Sequence, residues 1–213
     1  MLNIKTFEVN PLQENCYVVS DETKDCVIID CGAFTPDEQN EIVEYINSEG
    51  LHPKHLLATH GHFDHNFGID AMYKAFGLRV ELHSADERLL SEISQQAEAM
   101  LGATVSFVPR VAGFLSANDT VSFGTHELKV LATPGHSQGS ISFYCEAENV
   151  LFSGDTLFRM SIGRTDLPGG SMFMIINSLR FLSQLADDVR VLTGHGPETT
   201  IGYEVAHNPY LDR

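Results

Sequence analysis

Basic residues are scarce in this chain. It carries 13 Lys and Arg against 29 Asp and Glu, a formal net charge of -16 over 213 residues. Nucleic-acid binding needs Lys and Arg clusters to neutralise phosphate, so that class of partner is excluded. An anionic membrane surface is excluded on the same ground. No apolar run reaches the roughly 18 residues of a membrane span, so no membrane partner is expected. The opening residues, Met1-Leu2-Asn3-Ile4-Lys5, lack the charged, apolar and small-residue order of a secretory signal and read as the start of a strand. Cysteine is sparse as well: Cys16, Cys26, Cys31 and Cys145 form no CxxC pair. The expectation is reduced thiols in a cytoplasmic protein. Cys16 and Cys26 fall in apolar runs and read as small core residues, whereas Cys31, beside a glycine turn, reads as more accessible. Repeats, low-complexity segments and Pro/Gly/Ser linkers are also missing, so residues 1–213 read as one domain.

What is present suits a globular core. The chain is 43% hydrophobic and 20% charged, and long enough to bury one full core. Short β-rich runs at 4–9, 15–20 and 26–30, separated by turn signals, suggest antiparallel strands. Thr35, Pro36 and Glu38 spell a capping box with proline at the first helical position, and Gly50 is a natural stop. A buried strand is expected at 56–59, a helix from near 64–67 to Phe76, and a strand at 79–82. Ser84 with Glu87 suggests a second capping box and a helical region toward Met100. A loop over 102–117 precedes strands at 120–123, 126–131, 140–145 and 150–153. A helix after Ser171 and a closing strand at 189–193 complete the pattern. This order suits two packed sheets with helices outside better than a doubly wound parallel sheet.

The densest chemistry is His60-Gly61-His62-Phe63-Asp64-His65, directly after an apolar run. Imidazole nitrogens and a carboxylate suit zinc or another first-row divalent ion. Three later polar residues share one local signature, an apolar strand followed by a glycine-containing loop: His136, Asp155 and His195. Glycine lets the chain turn sharply there, so each side chain can point across the strand ends.

THGHFDH (59–65), TPGHSQGS (133–140) and SGDTLF (153–158) resemble the motifs of the metallo-β-lactamase-fold hydrolases. With Asp30 early and His195 late, the resemblance covers nearly the whole chain. It implies a four-layer αβ/βα sandwich of two mixed sheets with outer helices, and a dinuclear site between the sheets' loops. The branch it is most similar to is the short bacterial, glyoxalase II-like group of hydroxyacylglutathione hydrolases. Carried onto this sequence, the pattern gives His60, His62 and His136 to one metal. Asp64, His65 and His195 go to the other, with Asp155 bridging. Asp30 is implied to orient ligands rather than bind metal, and Arg164 to meet the anionic part of a substrate. The implied cofactors are two divalent metal ions, zinc first, with iron or manganese as alternatives.

The implied chemistry is metal-assisted hydrolysis of a small-molecule thioester or ester. A water shared by two cations loses its proton near neutral pH and attacks the carbonyl; Asp64 is expected to orient that nucleophile. Three departures separate the chain from a dedicated glyoxalase II. Asp166 stands where the group has an aromatic residue, and Pro197 where it has a tyrosine. Only 18 residues follow His195, so a C-terminal glutathione-binding helical domain is not expected. An alternative is a persulfide dioxygenase-like mononuclear iron enzyme built on His62, His136 and Asp155. A lactonase or β-lactamase ranks lower, and a non-enzymatic metal binder lowest. Phe158, Met160 and Ile162 read as a lid, a contact between chains, or pocket lining.

Overall fold

The computed structural model describes residues 1–211. Six strands form the first sheet, in spatial order: β1 (Asn3–Val9), β2 (Glu14–Ser20), β3 (Asp25–Ile29), β4 (His52–Leu57), β5 (Val80–Leu82) and β6 (Val111–Phe114). The first three pair antiparallel and the rest parallel. Four helices belong to this half: α1 (Pro36–Ser48), α2 (Ile69–Phe76), α3 (Glu87–Ser91) and α4 (Ile93–Leu101). The second half opens with β7 (Thr120–Phe123), β8 (His126–Ala132), β9 (Ile141–Cys145) and β10 (Val150–Gly154). A small hairpin, β11 (Leu157–Phe158) with β12 (Ser161–Ile162), leads to α5 (Met172–Leu182). The strands β13 (Arg190–Thr193) and β14 (Thr199–Thr200) and the helix α6 (Ile201–His207) follow. The second sheet runs β14-β13-β10-β9-β8-β7.

Alternation along the strands decides the layers. In β2 and β3, Cys16, Val18, Cys26 and Ile28 face a core that includes Ile42 and Ile46 of α1 and Met72 of α2. Tyr17, Val19, Val27 and Ile29 face the opposite way, onto Leu128, Val130, Phe143 and Phe152 of the second sheet. Leu151 of β10 points outward onto Leu179 and Leu182 of α5. Strands buried on both faces read as continuous apolar runs, and period two sorts them between the layers. The result is the expected αβ/βα sandwich of two mixed sheets.

Several local expectations are corrected. The helix expected from 64–67 begins only at Ile69, after a 3-10 turn at Phe63–His65. The Asn66 amide donates to the carbonyls of His60 and His62, which diverts two acceptors from a helical ladder. Ser84 caps no helix. His83 fills that role, its ring accepting from Ala85 N, and the helical region breaks at Glu92 into α3 and α4. The 102–117 loop contains β6, whose Gly113 masked it. The strand at 190–193 is not the last element: β14 and α6 follow, and Thr200 caps α6 without a Glu or Gln three residues on. Cys31 is buried, not accessible, like the other three cysteines. Its neighbour Gly68 leaves no space even for a methyl group beside the sulfur.

Candidate metal centre

The C-terminal ends of five strands meet at one point. Asp30 follows β3, His60 to His65 follow β4, His136 follows β8, Asp155 follows β10 and His195 follows β13. Of the nine side chains named from the sequence, eight gather there and Arg164 sits on the rim. Strand β2 ties the two halves together at this end. Asn15 donates its backbone N–H to Gly194 O at 2.8 Å and its side-chain amide to Thr193 O and Gly196 O. The Tyr17 hydroxyl donates to Thr193 O at 2.7 Å.

Three groups of ligand atoms converge. His60, His62 and His136 form one; Asp64, His65 and His195 another; His60, His65 and Asp155 a third that joins them. His62 Nδ1 faces His136 Nε2 at 2.8 Å, and His65 Nε2 faces His195 Nε2 at 3.3 Å. Asp155 reaches both sides: Oδ1 lies 3.3 Å from His65 Nε2, and Oδ2 lies 3.4 Å from His136 Nε2. Asp64 Oδ2 lies 3.3 Å from His195 Nε2.

Hydrogen bonds on the outer ring nitrogens fix the ring orientations. His136 Nδ1 meets the Arg164 carbonyl at 2.8 Å, and His195 Nδ1 the Leu12 carbonyl at 3.0 Å. His65 Nδ1 meets Asp30 Oδ2 at 3.0 Å. The Thr59 hydroxyl donates to Asp30 Oδ2, so it accepts from His60 Nδ1 at 3.0 Å. Each of these rings therefore turns Nε2 inward, the orientation a metal-binding imidazole takes. Asp30 adopts a left-handed backbone, φ 53°, and its carboxylate is fully engaged by Thr59 and His65.

The donor set fits divalent ions. His60 Nε2 and Asp155 Oδ1 are buried without a hydrogen-bond partner. Burial, with the neighbouring imidazoles, pushes the His60 pKa well down, and burial and His136 take His62 down to about 4. Both rings are thus held neutral, the state that ligates. Burial would raise Asp155, but His65, His136 and His195 outweigh it and hold the carboxyl well below its ordinary range. Nitrogen-rich trios joined by one carboxylate are a donor set for zinc or another first-row ion.

A cavity of about 410 Å³ opens onto this cluster, its walls including Leu12, Phe63, Met100, Phe158, Ile162 and Leu167. Phe158 and Ile162 are thus pocket lining, while Met160 is exposed. Arg164 lies on the wall, but its guanidinium is held by Asp166 through two hydrogen bonds of 2.8 and 2.7 Å. Several contributors were invisible in the sequence. Asn10 donates to Asp64 O and Gly32 O, and Glu14 is wholly buried beside His65. Neither Glu14 oxygen has a hydrogen-bond partner, and burial raises its pKa well above the ordinary value. Only the proximity of Asn10 and Glu14 to an apolar strand hinted at burial.

Comparison with known proteins agrees with this geometry. Residues 9–195 match the Metallo-beta-lactamase superfamily. A probable metallo-hydrolase, YqgX of Bacillus subtilis, is 37% identical over 96% of this chain and 95% of its own length. The hydroxyacylglutathione hydrolase GloC of Haemophilus influenzae is 34% identical over 99% of both chains. Among solved structures, the B3 metallo-beta-lactamase BLEG-1 superposes with a TM-score of 0.91 at 36% identity, over 99% of this chain and 100% of its own. TTHA1623, solved in a di-iron-bound form, gives 0.85 at 36% identity, over 97% and 100%.

Proposed function

Because the chain belongs to the metallo-beta-lactamase superfamily, we propose that it is a two-metal hydrolase cleaving a thioester or ester of a small molecule. The observation that carries this reading is Asp155, placed between the two ligand trios, its oxygens 3.4 Å from His136 on one side and 3.3 Å from His65 and 3.7 Å from His195 on the other. His60, His62 and His136 would hold one ion and Asp64, His65 and His195 the other, with Asp155 able to reach both. Zinc suits the nitrogen-rich set; iron and manganese also take this mixture of imidazole and carboxylate. Bound there, such ions would supply Lewis acidity, lowering the pKa of a coordinated water from about 15.7 toward about 7 and polarising a carbonyl oxygen.

The chain's own residues do the rest. Burial would raise the Asp64 pKa, but His65 and His195 outweigh it and keep the carboxyl below its ordinary value. Asp64 Oδ2 therefore stays an acceptor, able to orient the attacking water. Asp30 holds His65, and the Leu12 and Arg164 carbonyls hold His195 and His136. The apolar walls exclude bulk water around the acyl group. A thiolate leaving group comes from a thiol of pKa about 8.5 and departs without a general acid.

Glutathione is not the carrier this pocket favours. A substrate carboxylate would have to displace Asp166 from Arg164, exchanging one carboxylate for another at an exposed pair of small net worth. A small thioester with a less charged thiol fits better. The mononuclear iron alternative would use His62, His136 and Asp155, and leave Asp64, His65 and His195 without a chemical role. Elemental analysis of the purified protein, followed by a thioester panel including S-lactoylglutathione, tests the reading. Two metal equivalents per chain and thioester turnover are expected, and Asp155→Asn or His62→Ala should lose both. One iron with oxygen uptake on a persulfide would replace the reading. Full activity in either variant would sink the ligand assignment.

A further inference from the structure

A third carboxylate, outside the ligand set, sits behind the first trio. Asp86 lies in the turn between β5 and α3 and is completely buried. Its side chain bonds to two different ligand loops. Oδ2 accepts from Gly61 N at 2.9 Å and from the Ser137 hydroxyl at 2.5 Å; Oδ1 accepts from Gly139 N at 2.7 Å. Gly61 lies between His60 and His62, and Ser137 directly follows His136. One carboxylate in the first half of the chain thus joins the loop carrying two ligands of the first trio to the loop carrying the third.

The two glycines are shaped to admit it. A Cβ on Gly61 would lie 2.7 Å from Asp86 O and 2.8 Å from Leu89 Cβ. A Cβ on Gly139 would lie 2.6 Å from Asp86 Cγ and 2.7 Å from its Oδ1. Neither glycine needs a left-handed backbone, so space for Asp86 accounts for both. A buried carboxylate with three donors is well satisfied, and removing it strands two buried backbone N–H groups.

We propose that Asp86 is the positioning residue of the first metal position, setting the separation of His60 and His62 from His136. The inference rests on the two-metal reading and adds an asymmetry to it. Asp86 touches no part of the second trio: His65 is oriented by Asp30 and His195 by Leu12 O. Asp30 reaches His65 directly and His60 through the Thr59 hydroxyl, whereas Asp86 braces the first position alone, so its loss should weaken that position and spare the other. Asparagine at 86 keeps the shape but offers one acceptor oxygen where two N–H groups point, and turns an NH2 toward the other.

The test is zinc binding by Asp86→Asn, measured as equivalents retained in chelator-buffered zinc, with cobalt substitution to report each site's absorption spectrum. Wild type should hold two equivalents. The variant should hold one equivalent at unchanged affinity, while the other weakens about 10–100-fold, the usual loss when an outer partner of a ligand is removed. The cobalt spectrum should change at one site only. A general weakening of the fold would reduce both equivalents together. Should Asp86→Asn fail to fold, Ser137→Ala removes one bond on the His136 side and should weaken the same single equivalent by a smaller factor. Equal loss from both positions, or two equivalents retained at wild-type affinity, overturns the proposal. A wild-type protein holding only one equivalent overturns the two-metal reading itself, and the unequal loading with it.

Discussion

Gly194 stands where a methyl group has no room. A Cβ there would lie 2.2 Å from Asp155 Oδ1 and 2.7 Å from His65 Cε1. Gly194→Ala should therefore push apart the bridging carboxylate and one imidazole. Zinc affinity is expected to fall about 10-fold or more, read by competition with a chromogenic chelator; wild-type affinity would mean the loop yields without disturbing the ligands. Most site residues were legible because each follows an apolar run through a turn residue, and histidine and aspartate announce their chemistry. Asp86, Asn10, Asn66 and the Leu12 carbonyl were not legible. They act on backbone atoms, or through one, at separations that no local pattern encodes: 25 residues for Asp86 to Gly61, 54 for Asn10 to Asp64, 183 for His195 to Leu12. Arg164 was legible as a basic residue at the pocket, while its pairing with Asp166 belongs to the folded loop.

Helix α1 shows how an element is held by its first turn. Thr35 accepts from Glu38 N, and Glu38 Oε2 accepts from Phe34 N and Thr35 N. Glu38 Oε1 also accepts from Asn10 N, which fastens α1 to the turn between β1 and β2. Thr35→Ala should destabilise the protein by about 1 kcal/mol. Glu38→Ala should cost more, about 1–3 kcal/mol, because it also strands the Asn10 amide. Urea titration of both variants checks the order; equal losses would show that the tie to Asn10 contributes nothing. This capping box could be read from three letters, as could the alternating strands. What the sequence concealed were elements shaped by tertiary partners. The helix is delayed to Ile69 because the Asn66 side chain takes the His60 and His62 carbonyls just before it, and β6 forms beside β5 despite Gly113.

Across the whole molecule, the rim opposite the metal centre is closed by charge. His126, at the start of β8, lies between Asp21 of the first half and Glu148 of the second, each at 3.1 Å. Burial pulls the His126 pKa down, but the hydrogen bonds to Asp21 and Glu148 outweigh it and leave the pKa above the ordinary 6.5. A raised folded pKa gives stability that is complete below about 6.5 and is lost as pH rises through the higher folded value. Burial likewise opposes ionisation of Asp21, yet bonds from Thr23, Thr125 and His126 hold its pKa below the ordinary 3.8. Its contribution is complete above about 3.8 and fades as pH falls through the lower folded value. The contribution of this latch is therefore greatest between about 4 and 6.5. Thermal melts of wild type and His126→Gln across that range should differ most within it and converge above it. A difference that grows with pH would contradict the latch. At the other rim, the first half brings His60, His62, Asp64 and His65, and the second brings His136, Asp155 and His195. Ions held there would rivet one half-sandwich to the other. A chelator would then loosen a seam as well as stop a reaction, so scarcity of metal in the surroundings would set this protein's lifetime along with its activity.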